Sequence, residues 1–351
     1  MNYLTLGIGL LILVKGADVM VGSASRLGKL LKVPAFIVGL LIVAIGTSAP
    51  EAAIGVYSGI HGTNLITMGD VIGSSIVNIT VVLGITAMIF SLEVDSLVPR
   101  RELLISIFVQ MCLVIMIFTS YTLSRVEAGM LLAGMLIFFG YVYMKFKKKP
   151  GKDKKATAFE DEIFHYVEKQ EDVLYEEMLE EEKTVDTASS KFHAHIAAPK
   201  NDSTPKLIIL LLVGLAGLIG GASLAVNSAV QIAHTLGLSE EFIGLTIVAL
   251  GTSLPEITTC LIAVSKKEEG IAVGNVIGSN ILNVLFVLGI SGILHPITVT
   301  SDIFFDLFFM IGTSILRFIP TFFFGRISKK VGFLYVAVYI IYLSVKLNSI
   351  G

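Results

Sequence analysis

Two carboxylates sit where a carboxylate is hard to keep. Glu51 and Glu256 each close a Gly-Thr-Ser-x-Pro-Glu hexapeptide inside an apolar run long enough to cross a bilayer. An ionisable group at membrane depth is costly, so by default it marks an ion or substrate path. In the first copy, Gly46-Thr47-Ser48-Ala49-Pro50-Glu51, the proline cannot donate a backbone hydrogen bond and crowds the carbonyl one turn back. Irregular backbone is tolerated in a membrane only where it is buried in protein or lines a cavity. The Gly46 carbonyl is thereby freed, and local unwinding extends this to Ala44; Gly251 and Ala249 stand in the same relation to Pro255. Thr47, Ser48 and Glu51, with Thr252, Ser253 and Glu256, add further oxygens. All are hard donors, which suits Na⁺ or Ca²⁺ and disfavours zinc or copper.

A second pair of polar stripes follows each hexapeptide. Ser74 and Asn78 are four positions apart, as are Ser279 and Asn283, so each pair shares one helix face and is a candidate for the same ion site. The neighbouring Gly69, Gly73, Gly84, Gly274, Gly278 and Gly289, with Ser75 and Asn280, are read as helix-packing positions. A constant offset of 205 residues aligns the halves without gaps: residues 31–51 lie over 236–256, and 69–85 (GDVIGSSIVNITVVLGI) over 274–290 (GNVIGSNILNVLFVLGI). The chain is a duplicated unit.

The elements that must position these residues follow from composition. Of the 351 residues 54% are hydrophobic and 15% charged, which places the chain among polytopic membrane proteins. Apolar runs of roughly 20 residues predict ten spans, at about 3–25, 34–60, 67–91, 103–121, 126–145, 206–233, 240–265, 271–294, 303–324 and 331–347. The N-terminus carries no basic region before its apolar run and is read as a retained span. Cys112 and Cys260 fall in apolar segments, as packing residues rather than a disulfide.

Basic residues gather in alternate loops: Arg26, Lys29 and Lys32; Arg100 and Arg101; Lys145 and Lys147–Lys149; Lys266 and Lys267; Arg326, Lys329 and Lys330. These loops are assigned to the cytoplasm, which puts both termini outside a cell membrane crossed several times. With five spans per half, the second half must enter with opposite polarity. The predicted fold is therefore all-α: ten transmembrane helices as two inverted-topology five-helix repeats, an arrangement many secondary transporters use. It divides into a first repeat (1–145), a cytoplasmic basic and acidic linker (146–205) and a second repeat (206–351).

The linker begins basic (145–155), as suits a cytoplasmic membrane surface, and turns acidic over 160–182. A solvated amphipathic or partly unfolded segment accounts for it, and no EF-hand pattern supports a calcium sensor. His193 and His195 lack further ligands for a metal.

The two GTSxPE segments, each followed about twenty residues later by GxxxGSxxxN, resemble the paired repeats of the cation/Ca²⁺ antiporter superfamily, most closely the Na⁺/Ca²⁺ exchanger branch and its prokaryotic members. The likeness covers nearly all of the membrane portion and leaves the acidic segment aside. It implies that Glu51 and Glu256 are carboxylates shared by competing Ca²⁺ and Na⁺, and that Thr47 and Thr252 contribute to a calcium site. It further implies that Ser48, Ser74, Ser253 and Ser279, with the Ala44 and Ala249 carbonyls, complete sodium sites, that Asn78 and Asn283 lie between the glutamates, and that the first and sixth helices slide to alternate access. Some relatives carry aspartate at the position of Asn283. With amides at both positions the central cluster has two carboxylates, which predicts K⁺-independent, electrogenic exchange near three Na⁺ per Ca²⁺.

Other readings are weaker. H⁺/Ca²⁺ antiport would also use buried glutamates, but needs no flanking hydroxyls. An intramembrane hydrolase would show an HExxH, GxSxG or paired-aspartate motif, and none is present. A passive channel is separated from an exchanger by flux coupling. No enzyme activity, cofactor or nucleic-acid partner is expected. The partners are the lipid bilayer and the transported ions, and one chain supplies both halves of the site, so the unit can work as a monomer. Lys15 and Asp18 have the spacing of an intrahelical ion pair, and Asp306 and Arg317 are expected as interfacial or snorkelling groups.

Overall fold

In the computed structural model, residues 2–93, 97–147, 203–237 and 249–350 are described, and they form an all-helical bundle. The first half runs α1 (Asn2–Leu31), α2 (Ala35–Thr47), α3 (Ala49–His61), α4 (Leu65–Ile89), β1 (Leu92–Glu93), α5 (Leu97–Ser120), β2 (Thr122–Leu123) and α6 (Arg125–Lys147). The second half repeats the order: α7 (Thr204–Thr235), α8 (Ala249–Thr252), α9 (Leu254–Ser265), α10 (Glu269–Leu294), β3 (Ile297–Thr298), α11 (Ile303–Phe324), β4 (Arg326–Ile327) and α12 (Lys329–Ile350). Among the described residues, seven helices are long and apolar enough to cross a membrane, and α2–α3, bent by 45°, makes an eighth. Helix α9 is shorter; residues 238–248, the linker features at 160–182, His193 and His195 lie outside the described residues.

The two proline motifs produce nearly identical breaks. Ser48 (φ −82, ψ 9) and Ser253 (φ −87, ψ 2) sit in the sparsely populated bridge region, and each starts a new helix with Pro in its first turn. A second irregularity was not foreseen from sequence. Val38–Val43, Asn78–Leu83 and Asn283–Leu288 are wound as π-helix, a geometry found frequently at functional sites. The last two begin on the two asparagines of the polar stripes and coincide at the offset of 205.

Of the seven long apolar helices, α4 and α10 are the most enclosed, and α10 lies directly on α2. Glycine permits that approach. A Cβ on Gly274 would stand 2.8 Å from the Leu40 nitrogen, and one on Gly278 would stand 2.7 Å from the Ala44 Cβ. Helices α1 and α7 pack on each other along their length. Added Cβ atoms at Gly9 and Gly16 would strike Ala225 and Leu218, and at Gly214 and Gly221 they would strike Met20 and Leu13. Numbers rise along one helix as they fall along the other, so α1 and α7 run antiparallel. Two short ribbons join the halves: β1 pairs with β4, and β2 with β3.

Two of the expected charge arrangements are corrected. Asp18 pairs with Lys266 (2.9 Å) rather than Lys15, because Lys15 lies on the exposed face of α1 while Lys266 reaches across from the end of α9. Beside it Lys29 and Ser25 both meet Glu268 at 2.5 Å. Arg317 is not a snorkelling residue: it is 1% exposed, turned toward α5, where its Nη2 approaches Ser106 at 3.5 Å. Glu102, Ser106 and Gln110 form a stripe at four-residue spacing that makes this face of α5 polar, and Ser314 donates to Gln110 at 2.7 Å. Asp306 is 8% exposed and is held by Lys346 (2.7 Å) and Tyr342 (2.9 Å).

Candidate cation site

The breaks at Ser48 and Ser253 set the hydroxyls and carboxylates of both hexapeptides against the stripes of α4 and α10. Thr47, Ser48, Glu51, Ser74, Asn78, Ser253, Glu256, Ser279 and Asn283 are all buried, and Thr252 is half-buried. Glu51 and Glu256, 205 residues apart in the chain, lie close enough for their charges to act on each other. Thr47 bridges the halves. Its hydroxyl lies 3.0 Å from Asn275 Oδ1, 3.4 Å from Ser279 Oγ and 3.4 Å from the Ala44 carbonyl, and it also reaches Glu256. Ser279 donates in turn to Glu256 Oε1 at 3.4 Å.

Oxygen is in surplus. Buried polar groups in proteins nearly always have a hydrogen-bond partner. Among the described residues fifteen buried side-chain nitrogens and oxygens have none, and eight of these cluster here: Ser48 Oγ, both Glu51 oxygens, Asp70 Oδ2, Asn78 Oδ1, Ser253 Oγ, Glu256 Oε2 and Asn283 Oδ1. All eight are oxygens, a donor set that suits hard cations. No three of His, Cys, Asp and Glu among the described residues converge on one metal-sized point. A cation here must therefore take hydroxyl and amide oxygens besides the carboxylates, which is what the two motifs supply.

Not every expected ligand is equally free. The Ala44 carbonyl already accepts the Ser48 N–H at 3.0 Å as well as facing Thr47. Ala249, in α8, corresponds to Ala44 at the offset of 205. Ser74 donates to the Asp70 carbonyl at 2.7 Å, which leaves its hydroxyl lone pairs as acceptors. Asn78 donates to Asn280 Oδ1 at 3.0 Å, and Asn280 donates to the Ser75 carbonyl at 3.3 Å. That chain fixes which way the Asn78 amide faces and leaves its oxygen unpartnered.

Sequence reasoning passed over two residues, Asp70 and Asn275. Asn275 accepts from Thr47, and Asp70 accepts a hydrogen bond from the Thr252 hydroxyl. These contacts correspond through the offset of 205. The signal was visible as a polar residue one turn before Ser74 and Ser279 in both copies, aspartate in one and amide in the other.

Known proteins resemble this chain over most of its length. The family model described as "Sodium/calcium exchanger protein" matches residues 1–146 and 206–348. The chain is 33% identical over 289 residues to the putative antiporter CaxA of Alkalimonas amylolytica, covering 82% of this chain and 79% of that one. It is 30% identical over 334 residues to the sodium/calcium exchanger MaX1 of Methanosarcina acetivorans, covering 91% and 90%. A solved structure of the sodium-calcium exchanger NCX_Mj, soaked with zero Na⁺ and Ca²⁺, superposes with a TM-score of 0.74 at 27% identity over 98% of each chain.

Proposed function

We propose, because this chain belongs to the sodium/calcium exchanger protein family, a multi-pass membrane family of cation/Ca²⁺ antiporters, that it exchanges Na⁺ for Ca²⁺ by alternating access across the cell membrane. The observation that carries the reading is the cluster of unpartnered buried oxygens on both proline motifs and both asparagine stripes. Two glutamates balance one Ca²⁺, while hydroxyl and amide oxygens around them offer separate positions for smaller charges. Binding of one load competes with the other because both need Glu51 and Glu256.

The antiparallel packing of α1 against α7 supports an inverted repeat. In that arrangement ten helices form two five-helix units of opposite polarity, with the termini outside and residues 146–205 in the cytoplasm. The ions bind where the two units meet, and α1 and α7 move relative to the rest. The metal ligands in this reading are Thr47, Ser48, Glu51, Ser74, Asn78, Thr252, Ser253, Glu256, Ser279 and Asn283, with the Ala44 and Ala249 carbonyls.

Coupling is tested by Ca²⁺ uptake into proteoliposomes loaded with Na⁺, with K⁺, or with a proton gradient alone. Uptake that requires internal Na⁺ and generates current is the expected result. Uptake driven by the proton gradient alone replaces sodium with protons as the coupling ion. Uptake without any counter-ion removes the exchanger mechanism.

A further inference from the structure

Asp70 is a third carboxylate beside the two glutamates, and neither proline motif supplies it. It lies on α4, within electrostatic reach of both Glu51 and Glu256. Its two oxygens are treated differently: one accepts from Thr252, while Oδ2 is buried with no hydrogen-bond partner although the residue as a whole is half-buried.

The second half shows what a finished version of this position looks like. There Asn275 takes the place of Asp70; its Oδ1 lies 3.0 Å from Thr47 and its Nδ2 donates to Cys260 Sγ at 3.8 Å. Both ends of the amide are used. In the first half the residue corresponding to Cys260 is Gly55, and the amide nitrogen is replaced by an oxygen. The donor and its acceptor are both lost, and a negative oxygen is left where a neutral contact stood. An apolar membrane interior strongly disfavours such a group without a counter-charge.

We infer that Asp70 Oδ2, with Thr252 beside it, forms a subsite for one monovalent alkali cation at the flank of the central pair. The inference deepens the exchanger reading and rests on it. Among the described residues no three acidic groups converge on one metal-sized point, so in this reading Asp70 holds an ion apart from the central one. With all three carboxylates ionised the local charge is −3 rather than −2, so three monovalent cations are neutralised in full, whereas one Ca²⁺ leaves the Asp70 charge uncovered. A ligand that discriminates by valence in this way sets the balance between the two loads.

The variant Asp70→Asn tests this, since the amide is nearly the same size, keeps an oxygen for Thr252 and stands at the matching position already. Half-saturating Na⁺ and Ca²⁺ and the Na⁺ Hill slope are measured for wild type and variant in proteoliposomes, with and without K⁺. The expected result is a rise in half-saturating Na⁺ of about tenfold or more, with a lower Hill slope and a smaller change for Ca²⁺. A remote charge acts about twice as strongly on a divalent as on a monovalent ion, so a Ca²⁺ shift equal to or larger than the Na⁺ shift overturns the direct subsite. So does an unchanged Na⁺ dependence. A K⁺ requirement in wild type that the variant loses supports the subsite and assigns it to K⁺. If the variant does not transport, calorimetric Ca²⁺ binding with Na⁺ competition decides. Retained Ca²⁺ binding with weakened competition supports the inference, and loss of both overturns it. Wild-type coupling tests the exchanger reading separately, so the two can fail independently.

Discussion

Glu51 and Glu256 differ in what surrounds them, although their local sequences are nearly the same. Glu256 Oε1 receives Ser279, while both oxygens of Glu51 are unpartnered. Glu51→Gln and Glu256→Gln are each expected to reduce Na⁺-driven Ca²⁺ uptake at least a hundredfold, since either change removes one of the two carboxylates proposed to share the divalent ion; calorimetry measures the accompanying loss of Ca²⁺ binding. Asn280 makes a subtler case. It touches no ion in this reading, yet it holds the amide of Asn78. Truncation in Asn280→Ala leaves a buried donor unpaired, at a cost of about 1–3 kcal/mol. The expected result is about a tenfold weaker cation affinity with the maximal rate largely kept, read from the Ca²⁺ dependence of uptake. The glutamates were legible in the sequence because a charge in an apolar run has few explanations. Asp70 was not, because comparing the halves draws attention to identical residues, and here the difference carries the chemistry. Arg317 was misread for a related reason: its partners lie on α5, and only the packing of α11 on α5 reveals that the polar stripe there faces inward.

At the scale of the elements, the proline breaks were legible and the π-turns were not. Pro50 and Pro255 announce a lost hydrogen bond, whereas NITVVL and NVLFVL carry no local mark of a wider turn. The antiparallel seam of α1 and α7 was visible only as scattered glycines. Its geometry gives a sharp contrast. A side chain at Gly16 meets the backbone of Leu218, while one at Gly7 meets nothing within 4 Å among the described residues. Gly16→Leu is therefore expected to lower the thermal midpoint in detergent by several degrees and to abolish uptake, since overpacking a tight interface costs about 1–3 kcal/mol or more. Gly7→Ala is expected to leave both unchanged. Thermal unfolding followed beside transport separates lost packing from lost motion. The ties from Lys29 and Lys266 to the α1–α9 region set a further limit, because any slide of α1 must break or carry them.

On the scale of the whole molecule, the ribbons β1–β4 and β2–β3 matter more than their two-residue strands suggest. Each takes one strand from each half, and β1 and β3 are the same segment of the repeat at the offset of 205. The halves thus clasp each other by trading equivalent pieces, as a swapped dimer of two identical subunits would. The seam of α1 with α7 and the packing of α2 on α10 also cross between halves. Among the described residues these contacts join the halves independently of the peptide link between α6 and α7. Two separate polypeptides, 1–147 and 203–351, are expected to assemble when made together in one membrane and to recover Na⁺-driven Ca²⁺ uptake, while either alone recovers none. Co-purification through a tag on one fragment, followed by the uptake assay, decides it. Success would mean that the gene fusion secured equal supply of two complementary parts, with the recognition between them already written into their surfaces.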